Sequence, residues 1–193
     1  MMWSSSPSFI RKATVLCASV ALSLGAAACG GSPAATGGGA TDASATGGLV
    51  GSAAPEIAAE AVTGEGPATL KDASGKVVIL DFWATYCAPC KKSFPKYQEL
   101  VDQFGGELAV IAISVDNPED ATKEQLEAFV KETGVKFSIV WDKDQAAAKK
   151  YSPPKMPTSF VVDKTGVVRH IHAGYETGEE EKIAEEIKAL LGK

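Results

Sequence analysis

Two kinds of apolar run alternate along the chain. Val77-Val78-Ile79-Leu80 and Leu108-Ala109-Val110-Ile111-Ala112-Ile113-Ser114-Val115 are continuous and rich in β-branched residues, the pattern of strands buried on both faces and lying parallel in one sheet. Between them Tyr97, Leu100, Val101 and Phe104 recur at i, i+3, i+4 and i+7, which predicts a helix with one apolar stripe, stopped by Gly105-Gly106. Pro95 falls inside that helix and predicts a kink. Strand, helix and strand in this order imply a right-handed crossover.

The same reading extends in both directions. Thr122-x-x-Gln125 is a capping box for a helix through Leu126, Phe129 and Val130 to Gly134. Phe137 to Trp141 predicts a short strand and Asp144 to Tyr151 a short helix. Thr158 to Val162 and Val167 to His172, separated by Asp163-Lys164-Thr165-Gly166, predict an antiparallel hairpin. Thr177-x-x-Glu180 reads as the cap of a last helix with Ile183, Ile187, Leu190 and Leu191 inward. Before the central strand, which runs from Lys76 to Trp83 after a turn at Gly75, residues 52–70 are broken by Pro55, Gly64, Gly66 and Pro67 and predict short strands or a hairpin. The sum is an α/β fold with a mixed sheet flanked by helices.

The N-terminal residues do not belong to that fold. Arg11 and Lys12 precede an apolar stretch, Ala13 to Ala28, too short to span a bilayer and ending in small residues, so 1–28 reads as a secretory signal. Leu24-Gly25-Ala26-Ala27-Ala28-Cys29 resembles a bacterial lipobox, in which Cys29 is acylated and becomes the mature N-terminus; Ala26 departs from the larger aliphatic residue of that pattern, and plain cleavage after Ala28 is the alternative. Residues 29–51 then hold the lipid-attachment cysteine and a Gly/Ala/Ser/Thr linker, whose 22 residues after Cys29 reach about 26 Å. The domain is 52–193.

Composition narrows the function. With 45% hydrophobic and 22% charged residues, the chain has ordinary globular material for one core. Removing Arg11 and Lys12 with the leader takes the 19 basic residues to 17 against 24 acidic, net −7, and no basic cluster carries aromatics, which argues against nucleic acid as a partner. Of the four cysteines, Cys17 leaves with the signal and Cys29 is the lipidation candidate, so the domain keeps only Cys87 and Cys90. No framework of structural disulfides is available, and this pair is left for exchange chemistry.

That pair sits where a strand gives way to a helix. Four unpaired N–H groups and the positive end of the dipole favour a thiolate at a helix N-terminus, so Cys87 is predicted to ionise readily, partly exposed, with Cys90 one turn away to close a disulfide. Pro89 suits the first helical turn, and Lys91, Lys92 and Lys96 add positive charge nearby. Asp81-Phe82-Trp83-Ala84-Thr85-Tyr86-Cys87-Ala88-Pro89-Cys90, with Pro95 five residues on, resembles the thioredoxin superfamily, and within it the membrane-tethered TlpA/ResA-like thiol-disulfide oxidoreductases. The resemblance covers about residues 52–193 and implies a thioredoxin-like fold with an extra helix and strand inserted between its halves. It implies Cys87 as nucleophile, Cys90 as resolving thiol and Asp81, in its apolar strand, as proton acceptor. Met156-Pro157 matches the family's cis-proline loop, so substrate contacts are expected from Trp83, Tyr86, Pro89, Met156 and Pro157, with an exposed backbone edge at residue 156 for an extended substrate.

Each assignment has a plainer counterpart. The cysteines could form an inert bridge, or a zinc site completed by His170 and His172, which share one strand face. Pro157 could sit in an ordinary trans turn, and Asp81 could be a hydrogen-bonded strand residue. Two departures stand out: Tyr86 replaces the family's tryptophan and is expected to keep an aromatic cover, and Ser93 stands where the cytochrome-maturation branch has glutamate, which removes support for apocytochrome reduction. The sequence reading is therefore a lipid-anchored, extracytoplasmic, reductive thiol-disulfide oxidoreductase with no bound cofactor or metal. Its partners are cysteine-containing proteins and an upstream dithiol donor. A thiol peroxidase and a non-catalytic module binding a partner or metal are the rival readings.

Overall fold

The computed structural model describes residues 48–193; the leader at 1–28, Cys29 and most of the linker lie outside the described residues. Six strands form one sheet in the order β1-β4-β3-β2-β5-β6: β1 Glu60–Thr63, β2 Val77–Trp83, β3 Leu108–Ser114, β4 Ser138–Trp141, β5 Thr158–Val162 and β6 Val168–Ala173. As their unbroken apolar runs predict, β2 and β3 are buried along their whole length and pair in parallel, and β4 continues parallel to β3. β5 returns antiparallel on the other side of β2 and forms the expected hairpin with β6.

Among the described residues four α-helices cover the sheet: α1 Ala88–Phe104, α2 Lys123–Thr133, α3 Ala146–Tyr151 and α4 Glu179–Leu191. Because strand side chains alternate, β2 divides its apolar residues between two cores. Val77, Ile79 and Trp83 meet Phe94, Tyr97, Leu126, Phe129, Ile183 and Ile187 of α1, α2 and α4. Val78, Leu80 and Phe82 meet Tyr151 of α3 and Ile57 of the N-terminal segment. The chain remains helical on both sides of Pro95. The capping box at α2 forms as read, with the Thr122 hydroxyl accepting from the Gln125 amide and the Gln125 side chain accepting from the Thr122 amide.

Of the two alternatives expected for residues 52–70, a short strand is present and a hairpin is not, while the expected cap of the last helix needs correction. Residues 52–70 contribute one strand, β1, which pairs antiparallel with β4, and bridges from Ala53 to Val167 and from Glu65 to Phe137; the partners are far away in sequence, beyond the reach of a local pattern. At α4 the cap is Gly178, at φ 97°, rather than Thr177. The glycine takes a left-handed turn that other residues resist, and Glu180 reaches back to accept from the Gly178 amide at 3.0 Å. At the N-terminal boundary Leu49 packs on the second core and the Gly51 amide donates to Val168 O at 2.8 Å, so residues read as the end of the linker pack against the domain.

Candidate active site

The two cysteines stand at the carboxyl end of β2, where the chain turns into α1. Cys87 is the N-cap residue, its sulfur accepting from the Cys90 amide at 3.2 Å, and Pro89 occupies the first turn without forfeiting a hydrogen bond. Cys87 and Cys90 are joined as a disulfide, with Cα atoms 5.3 Å apart. Cys87 is only 5% exposed, less than the sequence reading expected: its side chain folds inward as the cap and is bonded to Cys90, which is fully buried. Tyr86 is 76% exposed and stands out into solvent beside the pair instead of lying over it as a cover. Two of the lysines expected to enrich positive charge here are matched by carboxylates, Lys91 by Glu132 and Lys96 by Glu99, each at 2.9 Å.

Asp81 lies on the same face of β2 as Trp83 and is completely buried. Cross-strand register places Asp81 beside Ser159 of β5, and Ser159 beside His172 of β6, in one polar row. Ser159 Oγ donates to Asp81 Oδ1 at 2.7 Å and shares a second 2.7 Å hydrogen bond with the Tyr97 hydroxyl of α1. Asp81 Oδ2 has no hydrogen-bond partner among the described residues. Burial pushes the Asp81 carboxyl up to about 8, opposed by the Ser159 hydrogen bond and assisted by the charge of Glu179. Burial likewise holds the Tyr97 phenol well above its ordinary range. A carboxyl in that position takes up a proton near neutrality, as thiol chemistry requires. Sequence reasoning found Asp81 because a charge interrupts an apolar run. It read Tyr97 only as core and passed over Ser159, whose role depends on strand register.

The Met156–Pro157 peptide is cis, as the resemblance implied, and Pro157 is buried immediately before β5. Met156 packs against both cores, including the one that holds the cysteines. Pro89 and Met156 share the wall of a hollow of about 520 Å³ with Lys155, Tyr175, Glu179 and Lys182. The structure thus joins the disulfide turn to the proline loop. It does not bring His170 and His172 to the cysteines: both face α4, His172 with Nε2 2.7 Å from Glu186 and Nδ1 3.3 Å from Glu179, and His170 with Nδ1 3.4 Å from Glu186. Among the described residues no group of three or more His, Cys, Asp or Glu side chains is arranged to hold a metal ion.

The fold agrees with comparisons to known proteins. The profile of the AhpC/TSA family matches residues 50–171. The thioredoxin-like protein YneN of Bacillus subtilis (strain 168) is 35% identical over 130 residues, 67% of this chain and 75% of YneN. The thiol-disulfide oxidoreductase ResA of Bacillus thuringiensis (strain Al Hakam) is 38% identical over 112 residues, 58% of this chain and 62% of ResA. Among solved structures, a Chlorobium tepidum protein assigned as the thiol:disulfide interchange protein DsbE superposes with a TM-score of 0.65 at 31% identity, over 74% of this chain and 98% of its own. The chain therefore belongs to the AhpC/TSA family, as a thioredoxin-like thiol-disulfide oxidoreductase carrying a Cys87–Cys90 pair.

Proposed function

We propose that the protein is a lipid-anchored, extracytoplasmic oxidoreductase that reduces disulfides in other proteins through Cys87 and Cys90. The observation that carries this reading is the Cys87–Cys90 bond at the first turn of α1, on the sheet face that also buries Asp81. In the reduced protein the Cys87 thiolate, favoured by the first-turn N–H groups, attacks a substrate disulfide. The substrate S–S bond breaks, a mixed disulfide forms, and the departing substrate sulfur takes a proton. Asp81 accepts the proton of Cys90, whose thiolate then attacks Cys87 Sγ. The second substrate sulfur leaves, and the disulfide is restored. Two electrons pass to the substrate, and an upstream dithiol protein returns them without a bound cofactor.

Tyr86, Pro89 and Met156 frame the approach to the sulfur; Trp83, expected as a substrate contact, is instead fully buried against Phe94 and Phe129, and Pro157 is buried before β5, so both support the site from beneath its surface. Exposed Tyr86 and the hollow beside Pro89 and Met156 suit an extended polypeptide around its own cysteine. The lipobox-like Leu24 to Cys29 supports acylation of Cys29 after removal of 1–28, with 29–51 as the tether and 52–193 as the working domain. No helix among the described residues is long and apolar enough to cross a membrane.

Turnover of a disulfide-linked peptide, with dithiothreitol as electron source, tests the reading. Cys87→Ser and Cys90→Ser are each expected to reduce the rate to that of buffer. Undiminished function in the Cys87→Ser, Cys90→Ser double variant would point instead to a binding module. The AhpC/TSA assignment supports one other reading, a thiol peroxidase. Stopped-flow oxidation of the dithiol by hydrogen peroxide that outpaces exchange with the peptide would favour it.

A further inference from the structure

We propose that Asp116 is the positioning residue of the redox pair, holding the Thr85–Tyr86 turn that presents Cys87 at the start of α1. Asp116 follows β3 by two residues and is 1% exposed. Its carboxylate receives a convergent set of donors: the Thr85 amide lies 3.1 and 3.0 Å from the two oxygens, the Thr85 hydroxyl donates at 2.6 Å, and the Ser114 hydroxyl donates at 2.9 Å. The residue is itself fixed from behind. The Trp141 indole of β4 donates to Asp116 O at 2.7 Å, and the preceding amide, Val115 N–H, donates to Trp83 O at 2.9 Å.

What the carboxylate holds is the segment that orients the sulfur. From Thr85 the chain makes a single turn, closed by the Cys87 amide donating to Ala84 O at 3.0 Å, and Cys87 then caps α1 through its sulfur. Helix N–H groups stabilise an anion only when it is aligned with the first turn. A residue that fixes the approach to Cys87 therefore fixes how much of that stabilisation the thiolate receives. Tyr86, between the anchored threonine and the cysteine, faces solvent. A buried carboxylate with this set of donors is costly to lose: one missing partner leaves the others unpaired. The inference rests on Cys87 as the attacking sulfur and adds the device that aims it.

The test is the pH dependence of Cys87 alkylation by iodoacetamide in the reduced full chain, followed by peptide mass in a Cys90→Ser background. Thr85→Val keeps size and amide but deletes the hydroxyl, Asp116→Ala deletes the whole anchor, and Thr85→Ser restores the hydroxyl. Thr85→Val and Asp116→Ala are expected to move the alkylation midpoint upward by about half a pH unit or more, roughly a threefold fall in the ionisation constant of the thiol. Thr85→Ser should keep the wild-type midpoint. An unchanged midpoint in Thr85→Val and Asp116→Ala, whatever happens to their melting temperatures, overturns the proposal; should Asp116→Ala not fold, Thr85→Val decides it alone. The functional reading fails separately, if disulfide turnover persists in Cys87→Ser.

Discussion

A carboxylic acid buried inside a β-strand is expensive unless it holds its proton, and Asp81 is in that position. Its folded-state acidity is weakened to about 8, whereas in the unfolded chain it titrates near the ordinary carboxyl value of ~3.9. Between those limits the native state keeps a proton that the unfolded chain has released. Stability of the oxidised protein therefore falls as pH rises from about 4 to about 8, by up to ~1.4 kcal/mol per pH unit from this group. Urea unfolding at pH 5 and pH 8 should show Asp81→Asn losing this slope and gaining stability relative to wild type at pH 8; equal slopes would show that the carboxyl is solvated. The Ser159 hydroxyl opposes the effect of burial, so Ser159→Ala should raise the pH at which exchange reaches half its maximum. The pH–rate profile measures that shift. Asp81 was legible in the sequence because it contradicts its surroundings. Ser159 was not, because it lies 78 residues away and a serine in a strand has no distinguishing pattern.

At the level of elements, a local signature was legible where no neighbouring residue competed for the same position. The α2 box is local and formed as read, with the Gln125 side chain 2.8 Å from the Thr122 amide. At α4 the same two-residue signature was present, but Gly178 turned the chain and took the cap position. These two sites give a paired prediction. Thr122→Ala should cost about 1 kcal/mol. Thr177→Ala should stay within about 0.5 kcal/mol of wild type, as an exposed residue outside the cap does. Midpoints of urea unfolding compare them, and equal losses would restore Thr177 as a cap. The start of α1 was legible in a different way: cysteine, proline and cysteine at the end of an apolar run fix the helix start and the chemistry together. Its anchor at Asp116 was not legible, since an aspartate after a strand reads only as the end of that strand.

Across the whole molecule, strand order gives the site its direction. The disulfide follows the carboxyl end of β2, while Gly51 to Ala54 dock at residues 166–168, beside the opposite end of the same strand, where Val78 pairs with Val162 and Val162 with Val168. Residues 51–54 thus join the sheet at the far end from the cysteines. Metabolic labelling with a fatty acid should mark the wild-type protein and fail in Cys29→Ala; label retained in the variant would put the anchor elsewhere. The parallel centre of the sheet and the terminal hairpin were legible because continuous apolar runs and a four-residue turn encode them. The edge strand β1 was not, since its partner is β4, across most of the domain. The central claim is that Cys87 is the sulfur that meets other proteins. Cys90→Ser removes the resolving thiol, so mass analysis should find protein adducts bonded through Cys87 that dithiothreitol releases and that vanish in the Cys87→Ser, Cys90→Ser double variant. No adducts in Cys90→Ser, or undiminished adducts in the double variant, would contradict it.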